Sequence, residues 1–214
     1  MTSIVLAGGR SSRLGREKAE ELIEGRTLVD WVLSSVSSLC DEIIIVVSEK
    51  QSSSRFTPCA GAVTVSDFYP DRGSMGGIYT GLMHSSSFHN LVIACDMPFL
   101  NLDLLRYMID LSPSFDAVIP KICDRKEPLH AIYAKNCMIP MRRLMLDGEL
   151  KIADLPRFVN ARYVEQEEID RFDPEHLTFF NVNTEEDLER ARALASQRNL
   201  PGSVPFTDMR EGKR

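Results

Sequence analysis

The chain has 214 residues, 43% of them hydrophobic, with Lys+Arg 25 against Asp+Glu 31 and a net charge of −6. That size suits one α/β domain, alone or with a small extension. The acidic balance excludes a general nucleic-acid binder, which needs a basic face to neutralise many phosphates, but it leaves room for one small anion on a local basic cluster. Five cysteines with no CxxC pair exclude a disulfide scaffold and a zinc ribbon. No basic leader precedes a long apolar run, and no apolar run approaches 18 residues, so a soluble cytoplasmic protein with no membrane partner is expected.

In chain order, "TSIVLA" (2–7) predicts a short β-branched strand ending at Gly8-Gly9. "TLVDWVLSSVSSLC" (27–40) repeats apolar residues at helical spacing behind Thr27, a residue suited to cap the helix. "EIIIVVS" (42–48) is continuously apolar, as a strand covered on both faces must be. "GAVTVS" (61–66) reads as a strand, and the turn-rich "DFYPDRGSMGG" (67–77) follows it. Next come a helix from "GIYTGLMHSSS" (77–87) and a buried strand from "NLVIACD" (90–96). "LDLLRYMIDL" (102–111) predicts a helix and "DAVIP" (116–120) a strand. "LHAIYA" (129–134) predicts another strand and "KNCMIPMRRLMLDG" (135–148) a helix interrupted or begun near Pro140. "ARYVE" (161–165) and "TFFNV" (178–182) read as strands, and "TEEDLERARALASQR" (184–198) as a closing helix capped by Thr184. The residues from Asn199 onward lack periodicity and predict a flexible tail. Strands alternating with helices predict a mostly parallel sheet with helices on both faces, a Rossmann-like three-layer α/β fold.

The chemistry gathers where strands end. "AGGRSSRLGREK" (7–18) lacks the spacing of a Walker loop and of a GxGxxG fingerprint. It does place Gly8 and Gly9, which let backbone amides converge on an anion, ahead of Arg10, Arg13, Arg16 and Lys18. A phosphate loop and a solvated basic turn both fit that composition. The strand over 90–96 exits at Asp96 before Pro98, and ligands of open α/β sheets bind beyond the carboxyl ends of strands. An acid facing a triphosphate implies an intervening cation, Mg²⁺. Asp67 ends "VTVSD" and would reach the same edge, as a ligand to base or ribose or as an Asx-turn residue. Asn181 and Asn183 flank Val182 and suit either ligand orientation or helix capping. His130, on the "EPLHAIYA" strand, either faces the cleft or, the preferred reading, is a satisfied structural histidine.

With these residues in view, "LAGGRSSRLGREK" (6–18) resembles the LAGGxSxRMGxDK signature of the molybdenum cofactor guanylyltransferase family, with Leu14 for Met and Glu17 for Asp. "CDMPFL" (95–100) has the form that family takes at its metal-binding aspartate. "EPLHAIYAKN" (127–136) is similar to its QPLxALY segment, and "FFNVNTEEDL" (179–188) to FxNVNTPEDL with Glu185 for Pro. The matches keep the family's order across about residues 3–195. Two further differences are Ser48, where many relatives carry an Asn facing the nucleotide, and "RGSMGGIYTGL" in place of GPLxGL.

The resemblance implies a nucleotidyltransferase that joins GTP to molybdenum-bound molybdopterin, giving the guanine dinucleotide cofactor and pyrophosphate. It implies that Leu6, Ala7, Gly8 and Gly9 meet the nucleotide and that Lys18 meets its phosphates. Asp67 would bind nucleotide, Asp96 would bind nucleotide and Mg²⁺, and Asn181 and Asn183 would serve the pterin side. In that scheme the pterin's phosphate is the nucleophile, and Lys18 and Arg13 stabilise the leaving pyrophosphate. Molybdenum-insertion proteins and recipient molybdoenzymes or their chaperones are the implied protein partners. One nucleotidyltransferase domain is expected over 1–198, its nucleotide-binding half about 1–120 and its pterin-side half about 121–198. The alternatives are a cytidylyltransferase for the same pterin, a sugar- or polyol-phosphate nucleotidyltransferase, and a non-catalytic nucleotide-binding module.

Overall fold

The computed structural model describes residues 1–8, 18–48 and 61–198, without the side chains of residues 18 and 198. Its strands are β1 (Thr2–Leu6), β2 (Leu22–Ile23), β3 (Arg26–Thr27), β4 (Glu42–Val47), β5 (Ala62–Ser66), β6 (His89–Ala94), β7 (Ala117–Ile122), β8 (Arg125–Lys126), β9 (His130–Ala134) and β10 (Ala161–Glu165). Its helices are α1 (Leu28–Val36), α2 (Gly73–His84), α3 (Leu102–Leu111), α4 (Met138–Leu146), α5 (Gln166–Ile169) and α6 (Glu185–Arg198).

The main sheet runs β10-β7-β9-β6-β1-β4-β5, with β8 paired to β7. Neighbours β6, β1, β4 and β5 are parallel, as are β7 and β10. β9 runs antiparallel between β6 and β7. The carboxyl ends of the parallel strands and the start of β9 therefore share one edge.

The two apolar faces explain the unbroken run in β4. Ile43, Ile45 and Val47 pack with Val32 and Val36 of α1 and Leu104 and Met108 of α3. Ile44 and Val46 point the other way, to Met75, Ile78 and Leu82 of α2 and Leu144 of α4. Each such buried aliphatic side chain contributes about 1.5–3 kcal/mol, and alternation sends them to opposite layers. A third cluster, around Trp31, Phe99, Val182 and Leu188, joins α1 to α6. Thr27 caps α1 in a reciprocal box with Asp30. Among the described residues, no helix is long and apolar enough to cross a membrane.

Two elements differ from the sequence expectation, and a third, α4, decides between two readings. α2 begins at Gly73, not Gly77, because a short turn over Pro70–Arg72 feeds it directly. Of the two readings for α4, the helix begins near Pro140 and is not interrupted by it, since the proline lies in the first turn where no intrahelical N–H partner is lost. Residues 178–182 form no strand. The N–H groups of Phe179 and Phe180 bond locally to the carbonyls of His176 and Leu177, closing a short turn over Leu177–Phe179. Val182 then buries its side chain in the third cluster instead of joining a ladder. The expected tail from Asn199 onward lies outside the described residues.

Candidate active site

At the carboxyl edge the backbone ladders continue past the strands. Ala7 N–H donates to Val46 O at 2.8 Å, Asp67 N–H to Val47 O at 2.8 Å, and Cys95 N–H to Leu6 O at 3.1 Å. These bonds fix the first residues of each loop relative to one another. They bring Leu6, Gly8, Ser48, Asp67 and Asp96 around one cavity of about 310 Å³, a volume suited to part of a nucleotide. Leu129, at the start of β9, closes one side, and Gly73, Ser74 and Gly77 of α2 line another. The Gly73 end of α2, where the first backbone N–H groups lack intrahelical partners and the helix dipole is positive, thus borders the cavity.

Two glycines line the cavity, and close approach dictates the first. A Cβ on Gly8 would sit 2.8 Å from Ser48 N, so only glycine lets the chain leave β1 this close to the end of β4. A Cβ on Gly77 would lie 3.3 Å from Leu6 Cδ2 and 3.9 Å from Asp67 Oδ2, in space that the cavity now keeps open.

Asp67 is held from one side. Its Oδ1 accepts from Thr80 Oγ1 at 2.9 Å and from Tyr69 N–H at 2.9 Å. Thr80 Oγ1 in turn accepts from Phe68 N–H at 3.1 Å. The fully buried Thr80 thus sets the carboxylate's orientation and leaves Oδ2 beside Gly77. Sequence reading did not single out Thr80. The signal available was a hydroxyl on an otherwise glycine and aliphatic helix face, where a buried polar group requires a partner.

Asp96 lies just beyond β6 and is joined to the segment carrying both asparagines, because Val182 N–H donates to Asp96 O at 2.9 Å. Asn181 Nδ2 donates to Phe179 O at 2.9 Å. Asn183 enters the cap of α6, its N–H donating to Asp187 Oδ2 at 3.0 Å. Thr184 completes that cap, donating its hydroxyl to Asp187 and accepting from Asp187 N–H at 3.1 Å. Burial pushes the Asp187 carboxyl up, but the Asn183 and Thr184 donors outweigh it and hold it below the usual range. Gly9 and Arg13 lie outside the described residues, as does the side chain of Lys18, whose backbone opens a short turn over Lys18–Glu20.

Two buried titratable groups flank the entry to β9. Burial raises the Glu127 carboxyl, against the opposing pull of Arg125 at 2.6 Å. His130 is fully buried, and desolvation pulls its imidazole down to about 3, so the ring is neutral at physiological pH.

Among the described residues, no group of three or more His, Cys, Asp or Glu side chains could hold a metal ion by itself. A carboxylate on this edge can instead share a hard cation with a ligand's phosphates. What the arrangement offers chemically is a walled cavity lined by two carboxylates and by the start of a helix.

Known proteins resemble this chain in sequence and in fold. The profile of the family described as "MobA-like NTP transferase domain" matches residues 3–164. A molybdenum cofactor guanylyltransferase of Desulfosudis oleivorans is 33% identical over 199 residues, covering 90% of this chain and 95% of that protein. A probable molybdenum cofactor guanylyltransferase of Methanosarcina mazei is 34% identical over 212 residues, covering 92% of each. The crystal structure of molybdopterin-guanine dinucleotide biosynthesis protein A from Archaeoglobus fulgidus superposes with a TM-score of 0.79. It is 33% identical and covers 92% of this chain and 100% of that one.

Proposed function

The chain belongs to the MobA-like NTP transferase domain family, and from that premise we propose that it transfers GMP from GTP to molybdenum-bound molybdopterin, forming the guanine dinucleotide cofactor and releasing pyrophosphate. The observation that carries the reading is a cavity, sized for part of a nucleotide, that Asp67 and Asp96 line at one sheet edge, with the Asn181–Asn183 segment tied to Asp96 through the Val182 N–H. Its wider support is identity above 30% with guanylyltransferases over nine-tenths of the chain.

The N-terminal half, about 1–120, binds GTP. Leu6, Ala7, Gly8 and Gly9 approach it through their backbone, and Asp67, fixed by Thr80, accepts hydrogen bonds from its base or ribose. Lys18 and Arg13 offset the charge of the phosphates that leave as pyrophosphate. The second half, about 121–198, takes the pterin, with Asn181 and Asn183 orienting it. The pterin's own phosphate is ionised at neutral pH and attacks the α-phosphorus in line, so the protein's part is positioning and charge compensation. No side-chain nucleophile is required.

The donor chemistry fits Mg²⁺. Asp96 offers hard oxygen on the cavity edge, and this cation characteristically takes one or two carboxylates and completes its shell with phosphate oxygens and water. When bound, it would neutralise phosphate charge that otherwise repels the incoming anion. The setting is cytoplasmic, where thiols stay reduced; among the described residues Cys40, Cys95, Cys123 and Cys137 are not joined in disulfides. Molybdenum-insertion proteins and recipient molybdoenzymes or their chaperones are the protein partners that this role calls for.

Pyrophosphate release with molybdenum-loaded molybdopterin, GTP and CTP compared, tests the proposal. Release from GTP alone is expected. Release from CTP alone would assign the cytidylyl reaction, and release from neither would leave a nucleotide-binding module.

A further inference from the structure

His130 is 0% exposed, and among the described residues neither Nδ1 nor Nε2 has a hydrogen-bond partner. Buried polar side chains are almost always satisfied, and an orphaned one imposes a desolvation cost with no return in that state. The ring stands edge-on to Phe179, centroids 4.9 Å apart. It is opposite Ile93 in the β6–β9 pairing, three residues before Asp96. It therefore touches the residue two positions before Asn181.

The carbonyl of Phe179 is served by Asn181 Nδ2 in a bond closed within three residues. Asn181 cannot turn its amide to a ligand without withdrawing that donor. The withdrawn bond would leave a carbonyl unsatisfied at a residue that is itself buried. The neutral imidazole in contact with Phe179 is a donor in search of an acceptor at that place.

We propose that His130 is a positioning residue for the second substrate: when Asn181 releases the Phe179 carbonyl to engage the ligand, His130 donates to that carbonyl and holds the Phe179–Asn183 segment in its ligand-engaged form. The inference rests on the functional reading above, with Asn181 on the pterin side. It explains an orphaned ring as half of a hydrogen-bond exchange whose other half is Asn181.

The test compares wild type with His130→Phe, which keeps a planar ring, and His130→Gln, which keeps a neutral N–H donor. The KM for molybdenum-loaded molybdopterin should rise about five- to tenfold in His130→Phe, the factor one hydrogen bond is worth, with the KM for GTP within about twofold. His130→Gln should recover most of the loss. Hydrogen exchange over residues 177–183, read on adding the pterin substrate without GTP, should respond in wild type and His130→Gln and not in His130→Phe. His130→Leu replaces the phenylalanine variant if that protein does not accumulate folded. Unchanged pterin KM in the apolar variant, an equal rise in both KM values, or no exchange response in wild type would each overturn the inference. Failure of wild type to release pyrophosphate overturns the functional reading instead, and the exchange measurement reads His130 independently of turnover.

Discussion

Val182 donates its backbone N–H to the carbonyl of Asp96 at 2.9 Å, fastening the loop before α6 to the end of β6. Residues 86 positions apart in sequence thus become neighbours at the sheet edge, and the Val182 side chain locks the arrangement from the far side by packing with Trp31 and Leu188. The proposed metal carboxylate and the proposed pterin-side asparagines are in consequence parts of one construction.

Asp96→Asn keeps the size of the side chain and the backbone bond to Val182 but removes the charge. Pyrophosphate release should fall at least about 100-fold, the usual scale for losing one electrostatic contributor to the transition state. The melting temperature should stay close to wild type. Single-turnover assays at saturating GTP and Mg²⁺ check this.

Thr80→Val removes the hydroxyl that orients Asp67 and serves Phe68 N–H. Leaving these polar groups short of a partner costs about 1–3 kcal/mol, divided between stability and nucleotide affinity. Calorimetric titration with GTP should show affinity lowered by about tenfold or less, the factor that 1.4 kcal/mol represents. An unchanged affinity would remove Thr80 from the account of the site.

Gly81→Ala and Gly8→Ala should separate stability from binding. A Cβ on Gly81 would fall 2.4 Å from Cγ2 of the fully buried Ile4, forcing α2 off β1. Overpacking of that kind costs about 1–3 kcal/mol, or about 2–4 °C of melting temperature per kcal/mol in a chain of this size. Gly8→Ala instead pushes on the backbone of Ser48 at the cavity. It should weaken GTP binding more than it lowers the melting temperature, measured by thermal scans with and without nucleotide.

The acid limb of stability should carry a His130 component. Its imidazole titrates near 6.5 unfolded and at about 3 folded, so between those values the unfolded chain binds the extra proton. Stability then falls as pH falls through 6.5, with a slope approaching 1.36 kcal/mol per pH unit, about one proton. Urea unfolding of wild type and His130→Phe at pH 7.5 and 5.5 should show the variant losing less over that interval.

Much of this was legible in the sequence because periodicity and strand-end chemistry are local. The unbroken EIIIVV run required a strand buried on both faces, and β4 divides its residues between two helical layers. Asp67 and Asp96 could be assigned to one edge because each ends a strand that had to be parallel to the other. "TFFNV" misled for the same local reason: its alternation looks like a strand, but Val182 is spent on the cluster around Trp31.

The sequence by itself determined the layered α/β architecture, the strand-end carboxylates and the family signatures, since each depends on neighbours within a turn, a strand or a motif. Only the tertiary structure decided that β9 runs against its neighbours, that Thr80 orients Asp67, that Val182 ties its loop to Asp96, and that His130 lies buried without a hydrogen-bond partner among the described residues. Those relationships join residues distant along the chain, and their distances are set by how the layers pack rather than by any local preference of the residues involved.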